Sequence, residues 1–252
     1  MSDVQRTTSY PAYSLEICAG SIQSAGAAQA GGAQRIELCQ NLEQGGTTPS
    51  YGMIKQVLSR LAIPVFVLIR PRPGDFCYDA DELASMVTDV AQCRGLGCAG
   101  VVIGALDEAG RVDVASCRAL IEAAGPLQLT FHRAFDVCQN QAQALEEIIG
   151  LGCHRVLTSG GQASAPAGQA QLAALVRQAA GRIRIMPGAG VTPATLPALV
   201  QATGALEFHA SAKLLVAPLA TARATEFDAP RWQTDAAIVA ELVAQLREAS
   251  QA

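Results

Sequence analysis

The stretch Leu129-Thr130-Phe131-His132 alternates apolar and polar residues with the period of two that marks a strand, and it runs straight into a charged group, His132, Arg133 and Asp136. Leu15-Glu16-Ile17-Cys18 and Leu206-Glu207-Phe208-His209 repeat the pattern. Eight short apolar strands can be placed: Ser14–Cys18, Arg35–Cys39, Val65–Arg70, Gly100–Ile103, Leu127–His132, Arg155–Thr158, Ile183–Met186 and Leu206–His209. Helical patterns separate them. The first starts at a Ser21 cap and runs to Gly31-Gly32, and the second starts at a Ser50 cap and runs to Leu61. Further helices are expected near 81–96, 113–124, 140–151 and 168–180, one after the cap-and-proline pair Thr192-Pro193, and a last amphipathic one over 234–248. Glycines in Gly95-Leu96-Gly97, Gly150-Leu151-Gly152 and Thr203-Gly204 stand where a helix must stop before the next strand. Strands alternating with helices make a parallel α/β architecture. Eight units in this length predict a (β/α)8, TIM-type barrel as a single domain over 14–252, behind a polar extension at 1–13.

A barrel strand turns alternate residues toward the helices, and those should be apolar. Leu15 and Ile17, Ile36 and Leu38, and Val65, Val67 and Ile69 are then outward. Cys18, Cys39, Phe66, Leu68 and a charged set fall inward: Glu16, Glu37, Glu207, Arg70, Arg184, His132 and His209. Strands covered on both faces usually read as continuous apolar runs, so this interior is unusual. Glu16, Glu37, Arg70, His132 and His209 lie at or near C-terminal strand ends, where this fold carries its active sites. They are the candidate catalytic set. An internal network of ion pairs would also account for them, but an apolar filling is simpler to build, which favours a ligand site.

Composition narrows the function classes. The chain has 252 residues, half of them hydrophobic, and a net charge of −4. It offers no basic footprint for nucleic acid. Its longest apolar run, within Ile63–Ile69, is too short to cross a bilayer, and the polar N-terminus does not read as a signal peptide. The expectation is a soluble cytoplasmic protein. Eight cysteines occur without a C-x-x-C pair or zinc-type spacing. They are expected to be reduced thiols, most of them buried as small apolar residues.

A set of motifs spans nearly the whole chain: LEIC at 15–18, RIELC at 35–39, GGTTPSYG at 45–52, IRPRPGDF at 69–76, GALDEAGRVD at 104–113, TFHRAFD at 130–136, RVLTSGG at 155–161, MPGAGV at 186–191 and EFHASAK at 207–213. In these the sequence resembles the CutC family, named for copper homeostasis. It departs from the family's usual glycine at Pro73 and from its frequent glycine or serine at Ala189. The resemblance implies a cytoplasmic β/α barrel, often a homo-oligomer, that binds copper and confers copper tolerance. Cu(I) prefers thiolate and thioether ligands. Cys18 and Cys39 sit at equivalent positions of neighbouring strands, which lie about 4.8 Å apart, so the two thiols are the candidate copper clamp. Met186 and the histidines, on more distant strands, are candidate extra ligands.

The alternative is an enzyme or binder for a small phosphorylated or carboxylated metabolite, with no organic cofactor indicated. Thr158, Ser159 and Gly160 follow one strand, and Gly188 and Gly190 follow the next; glycine-rich loops leading to a helix suit an anion. Arg70 and Arg72 can hold a carboxylate or phosphate in a bidentate fashion. Arg133 joins them, with Asp136 either orienting Arg133 or His132 or capping the next turn. Glu16 or Glu37 would serve as base and His132 or His209 as acid. No nucleophile elbow is present, and Lys213 lies in the loop after the last strand.

Overall fold

A computed structural model describes residues 13–217 and 230–251; apart from Tyr13, the expected polar extension lies outside them. Eight parallel strands make the barrel: β1 (Ser14–Ala19), β2 (Arg35–Leu38), β3 (Val65–Leu68), β4 (Gly100–Ile103), β5 (Gln128–Phe131), β6 (Arg155–Thr158), β7 (Arg184–Pro187) and β8 (Glu207–Ala210). They follow the chain in order from β1 to β7, and β8 returns to pair with β1. β7 lies against β8 and nearly closes the ring. Helices α1 (Ile22–Ala30), α2 (Tyr51–Leu58), α3 (Ala80–Leu96), α4 (Val114–Ala124), α5 (Gln141–Gly150), α6 (Gln169–Ala179) and α7 (Leu196–Thr203) fill the crossovers. The barrel foreseen from the alternation is therefore present.

Local chemistry sets the boundaries. Ser21 and Ser50 cap α1 and α2 through their hydroxyls, and Asp79 and Glu82 form a reciprocal capping box at α3. Thr192-Pro193 does not open a helix as expected. Thr195 Oγ1 accepts from Thr192 N and donates to the Gly190 carbonyl, which makes a separate turn and delays α7 to Leu196. The last helix, α8, covers Ala236–Ala249 from an Asp235 cap; Thr234 belongs instead to a short strand. That strand, β10 (Arg231–Thr234), pairs antiparallel with β9 (Lys213–Val216). The sequence pattern gave no sign of this ribbon.

Two apolar layers result. The larger lies between strands and helices and contains all the outward residues assigned from the alternation, with Val101, Ile103, Phe131 and Phe208. Val239, Leu242, Val243 and Leu246 of α8 are buried in it, so the apolar stripe of that helix docks on the barrel. The smaller layer is inside the barrel: Cys18, Cys39, Phe66, Leu68 and Val102. All eight cysteines are free thiols, seven of them buried. Among the described residues, no helix is long and apolar enough to cross a membrane.

Gly100 makes room for the interior ring of Phe66. A β-carbon there would stand 2.2 Å from Phe66 Cε1 and 2.6 Å from the Gln128 carbonyl oxygen. Gly100→Ala is expected to destabilise the fold by about 1–3 kcal/mol through overpacking. Pairing it with Phe66→Leu should return part of that loss. Urea unfolding of the two single variants and the double would measure the coupling, and strict additivity would contradict the steric account.

Candidate functional site

The barrel interior divides into two storeys. In the lower one, Arg35 on β2 donates through Nε to Glu16 (2.5 Å) and through Nη2 to Glu207 (2.6 Å). Arg155 on β6 donates through Nε to Glu207 at 3.1 Å. Both guanidinium groups lie against the ring of Phe66, at 5.6 and 5.0 Å from its centroid. The ion-pair reading of the interior therefore holds for this storey. Its cations are Arg35 and Arg155, which sequence reasoning passed over. Arg184, expected inside, is exposed at the N-terminal start of β7, below the packed layers.

The pairing continues upward. Glu16 Oε1 lies 2.9 Å from His209 Nδ1, and His209 Nε2 lies 3.5 Å from Glu37. Burial opposes ionisation of Glu16, but the Arg35 guanidinium and the His209 hydrogen bond outweigh it and hold the carboxyl down at about 2. Burial likewise works against a charged His209, yet its bond to Glu16 and the charges of Glu37 and Glu16 raise it above the usual histidine range. Glu37 is shifted upward by burial, against the charge of His209. Glu37 and His209 thus face each other as a charged pair at the upper end of this series of contacts.

Above them opens a cavity of about 800 Å³ at the C-terminal ends of the strands. Cys18, Glu37, Arg70, His132 and His209 all line it. Four of the five residues expected to carry chemistry therefore share one cavity; the fifth, Glu16, is fully buried beneath it. Cys18 Sγ stands 3.4 Å from Cys39 Sγ, and Cys39 lies behind the wall, out of the lining. Cys18, Glu37 and His209 bring ligand atoms within 4.8 Å of one another. The hydrogen bond with Cys39, burial, and the charges of Cys39 and Glu37 push the Cys18 thiol well above its ordinary range.

His132 is held tightly. Gly104 on the neighbouring strand end leaves space for its ring; a β-carbon there would come within 2.6 Å of the imidazole. Its Nδ1 accepts from Ala134 N at 3.1 Å, so in the neutral ring the proton sits on Nε2. Burial and the Arg70 charge lower its pKa to about 3. His132 therefore offers a neutral N–H donor near neutral pH.

The expected anion sites fare differently. The loop after β6 does bind an anion, but that anion is the chain's own Asp136. Asp136 Oδ1 accepts from Thr158 Oγ1 (2.5 Å), Ser159 N (2.9 Å) and Gly161 N (3.1 Å), and Oδ2 accepts from Ser159 Oγ and Arg133 Nε. A tethered carboxylate fills the cradle, so Thr158, Ser159 and Gly160 face inward on the protein and not the cavity. Gly188 packs against Leu157 and His209, where a side chain would clash, whereas Gly190 reaches the cavity rim. Ala189 beside it takes a left-handed φ of 69°, a conformation that favours the glycine frequent there in the family. Arg72 turns away to Glu82 and Asp75 and is absent from the lining. Arg70 also differs from the expected bidentate clamp. Its Nη1 donates to the carbonyls of Gln44 and Gly46 and its Nη2 to that of Gly74. Lys213, expected in the loop after the last barrel strand, opens β9 and lines the far side with Trp232, which sequence reasoning left out; Lys213 Nζ lies 4.3 Å from the indole centroid.

Comparison with known proteins identifies the family and the fold. The sequence model of the CutC family matches residues 13–214. A family protein CutC of Xanthomonas axonopodis pv. citri is 59% identical over 203 residues, covering 81% of this chain and 85% of the relative. One of Xanthomonas campestris pv. campestris is 55% identical over 238 residues, covering 93% and 99%. A crystal structure of CutC from Streptococcus agalactiae superposes with a TM-score of 0.75 at 35% identity, covering 79% of this chain and 98% of the other.

Proposed function

The chain belongs to the CutC family, and from that premise we propose that it serves copper homeostasis, the role in the name of its Streptococcus agalactiae relative, by holding one Cu(I) between Cys18 and Cys39. The observation that carries this reading is the 3.4 Å separation of the two sulfur atoms at the cavity floor. A pair of soft donors suits Cu(I) over harder cations. His209 and Glu37 supply a nitrogen and a carboxylate beside Cys18.

Both thiols have to lose their protons to bind metal. Glu37, whose affinity for protons is raised by burial, stands next to Cys18 and can take one of them. Of the two thiols only Cys18 lines the cavity, so an ion entering by the cavity meets Cys18 first.

Anaerobic Cu(I) titration of the reduced protein against a competing chelator tests the reading. The wild type should bind one equivalent. Loss of even an outer partner of a metal ligand weakens binding about 10–100-fold, so Cys18→Ser with Cys39→Ser should weaken it further. The double variant Cys93→Ser/Cys98→Ser, which removes another neighbouring thiol pair, should keep it. Weak binding by the wild type, or equal binding by the Cys18/Cys39 variant, would exclude the clamp.

A further inference from the structure

Elsewhere in the cavity lining, two buried donors have no acceptor. Arg70 is 6% exposed and His132 is 4% exposed. Arg70 Nε and His132 Nε2 make no hydrogen bond, and neither does the nearby Tyr78 hydroxyl. Native proteins rarely leave buried donors unmatched. The Tyr78 hydroxyl approaches Arg70 without forming a well-aligned bond, and the two donors have little freedom to move. Three backbone carbonyls pin the Arg70 Nη atoms, and the Ala134 amide pins the His132 ring.

The charge is unbalanced as well. Among the described residues, no acidic side chain forms an ion pair with Arg70, although buried guanidinium groups are normally paired. Three carbonyls and the Phe76 ring, 5.0 Å from Arg70 Cζ, solvate it without neutralising it. The same ring lies 5.0 Å from the His132 imidazole and covers both donors.

We propose that the Arg70–His132 wall binds the carboxylate of a small molecule seated in the cavity, with one oxygen taking the Arg70 Nε–H and the other the His132 Nε2–H, and with Phe76 moving aside to admit it. A monocarboxylate supplies two acceptors and one negative charge, which matches two N–H donors and one uncompensated cation. A phosphate dianion brings a second charge that no cation of this wall offsets, and a water molecule leaves Arg70 uncompensated. The glycine loop that would have suited phosphate is already filled by Asp136. The assignment goes beyond the copper reading and holds whether or not Cys18 and Cys39 take up metal.

The test is nitrogen NMR of histidine-labelled protein, with acetate, glycolate and pyruvate as probes and inorganic phosphate and chloride as comparators. At least one of the three carboxylates should shift the His132 Nε2–H signal saturably, and phosphate and chloride should not. By calorimetry, His132→Phe, which keeps an aromatic ring but removes the donor, should weaken carboxylate binding about tenfold or more, as expected for a hydrogen bond to a charged group. The Cys18→Ser/Cys39→Ser variant should bind the same probe as the wild type, which separates this site from the copper clamp. The proposal is overturned if no carboxylate moves the His132 signal, if phosphate alone moves it, or if a folded His132→Phe protein binds the carboxylate unchanged.

Discussion

Arg35→Ala should destabilise the protein by about 3–5 kcal/mol, the range seen when one partner of a buried ion pair is removed. Arg35 links Glu16, which has no exposed surface, to Glu207, and its Nη2 also approaches Met186 Sδ at 3.0 Å. Alanine would leave a buried carboxylate beside a second one, with only Arg155 and His209 left to offset them. Arg35→Lys should recover little, since a single ammonium cannot reproduce the two-armed geometry that bridges both carboxylates. Combining Arg35→Leu with Glu16→Gln should be milder than either charge deletion predicts, because no unpaired charge then remains at that position. Urea unfolding near neutral pH measures each step. An Arg35→Ala protein within about 1 kcal/mol of wild type would mean that water reaches the lower storey and that the chain of pairs is not buried as described.

Stability should also fall on acidification earlier than carboxylates alone would dictate. The native His132 takes a proton only near 3, while an unfolded histidine does so at its ordinary 6.5. Between these values the unfolded chain binds a proton that the native one refuses, so stability declines as pH drops through that window. Two units of the window, from 6.5 to 4.5, correspond to about 3 kcal/mol. His209 acts in the opposite sense, since its raised pKa adds stability that is fully present below 6.5 and lost as pH rises through its folded value. Glu16 joins last. Its carboxyl is held at about 2, so the stability it contributes is present above 4.5 and disappears as pH falls toward 2. Unfolding midpoints at pH 7, 5.5 and 4.5 should therefore decline for the wild type. They should decline clearly less for His132→Asn, which keeps an acceptor for the Ala134 amide but does not titrate; the lowered pKa of His154 keeps part of the slope and the raised one of Glu37 works against it. Parallel declines in the two proteins would place the acid sensitivity elsewhere.

The barrel and half of its interior were legible from the period-two pattern. Leu15, Ile17, Ile36 and Leu38 had to face helices, which left Glu16, Cys18, Glu37 and Cys39 inside, and the structure has them there. Arg35 was readable by the same rule, because it shares the parity of Glu37. It lies at the N-terminal start of β2, away from the C-terminal strand ends where catalysis resides in this fold. Arg155 hides for a similar reason, as the first residue of a four-residue strand. Of the Asp136 cradle, only the pairing with Arg133 three positions away was readable; its other partners are 22 to 25 positions away, and a glycine-rich loop looks alike whether its anion is a ligand or a side chain. The fate of Arg70 was equally hidden, since backbone carbonyls that accept from a guanidinium leave no trace in the order of residues, and Arg72 is drawn off by Asp75 and by Glu82 on the following helix.

The closure of the barrel by β8 against β1 also has a meaning in time. Glu16 is among the first structured residues to be made, and its partner His209 comes 193 positions later. At a synthesis rate of about 5–20 residues per second, roughly 10–40 seconds pass before that partner exists. Throughout this interval an early strand carries a carboxylate whose final surroundings have not been made. The cavity floor is therefore among the last parts of the molecule to be assembled. A chain that stops short of β8 has seven strands and both cysteines but no His209 to join Glu16 to Glu37, so any binding that depends on His209 reports that the ring has closed.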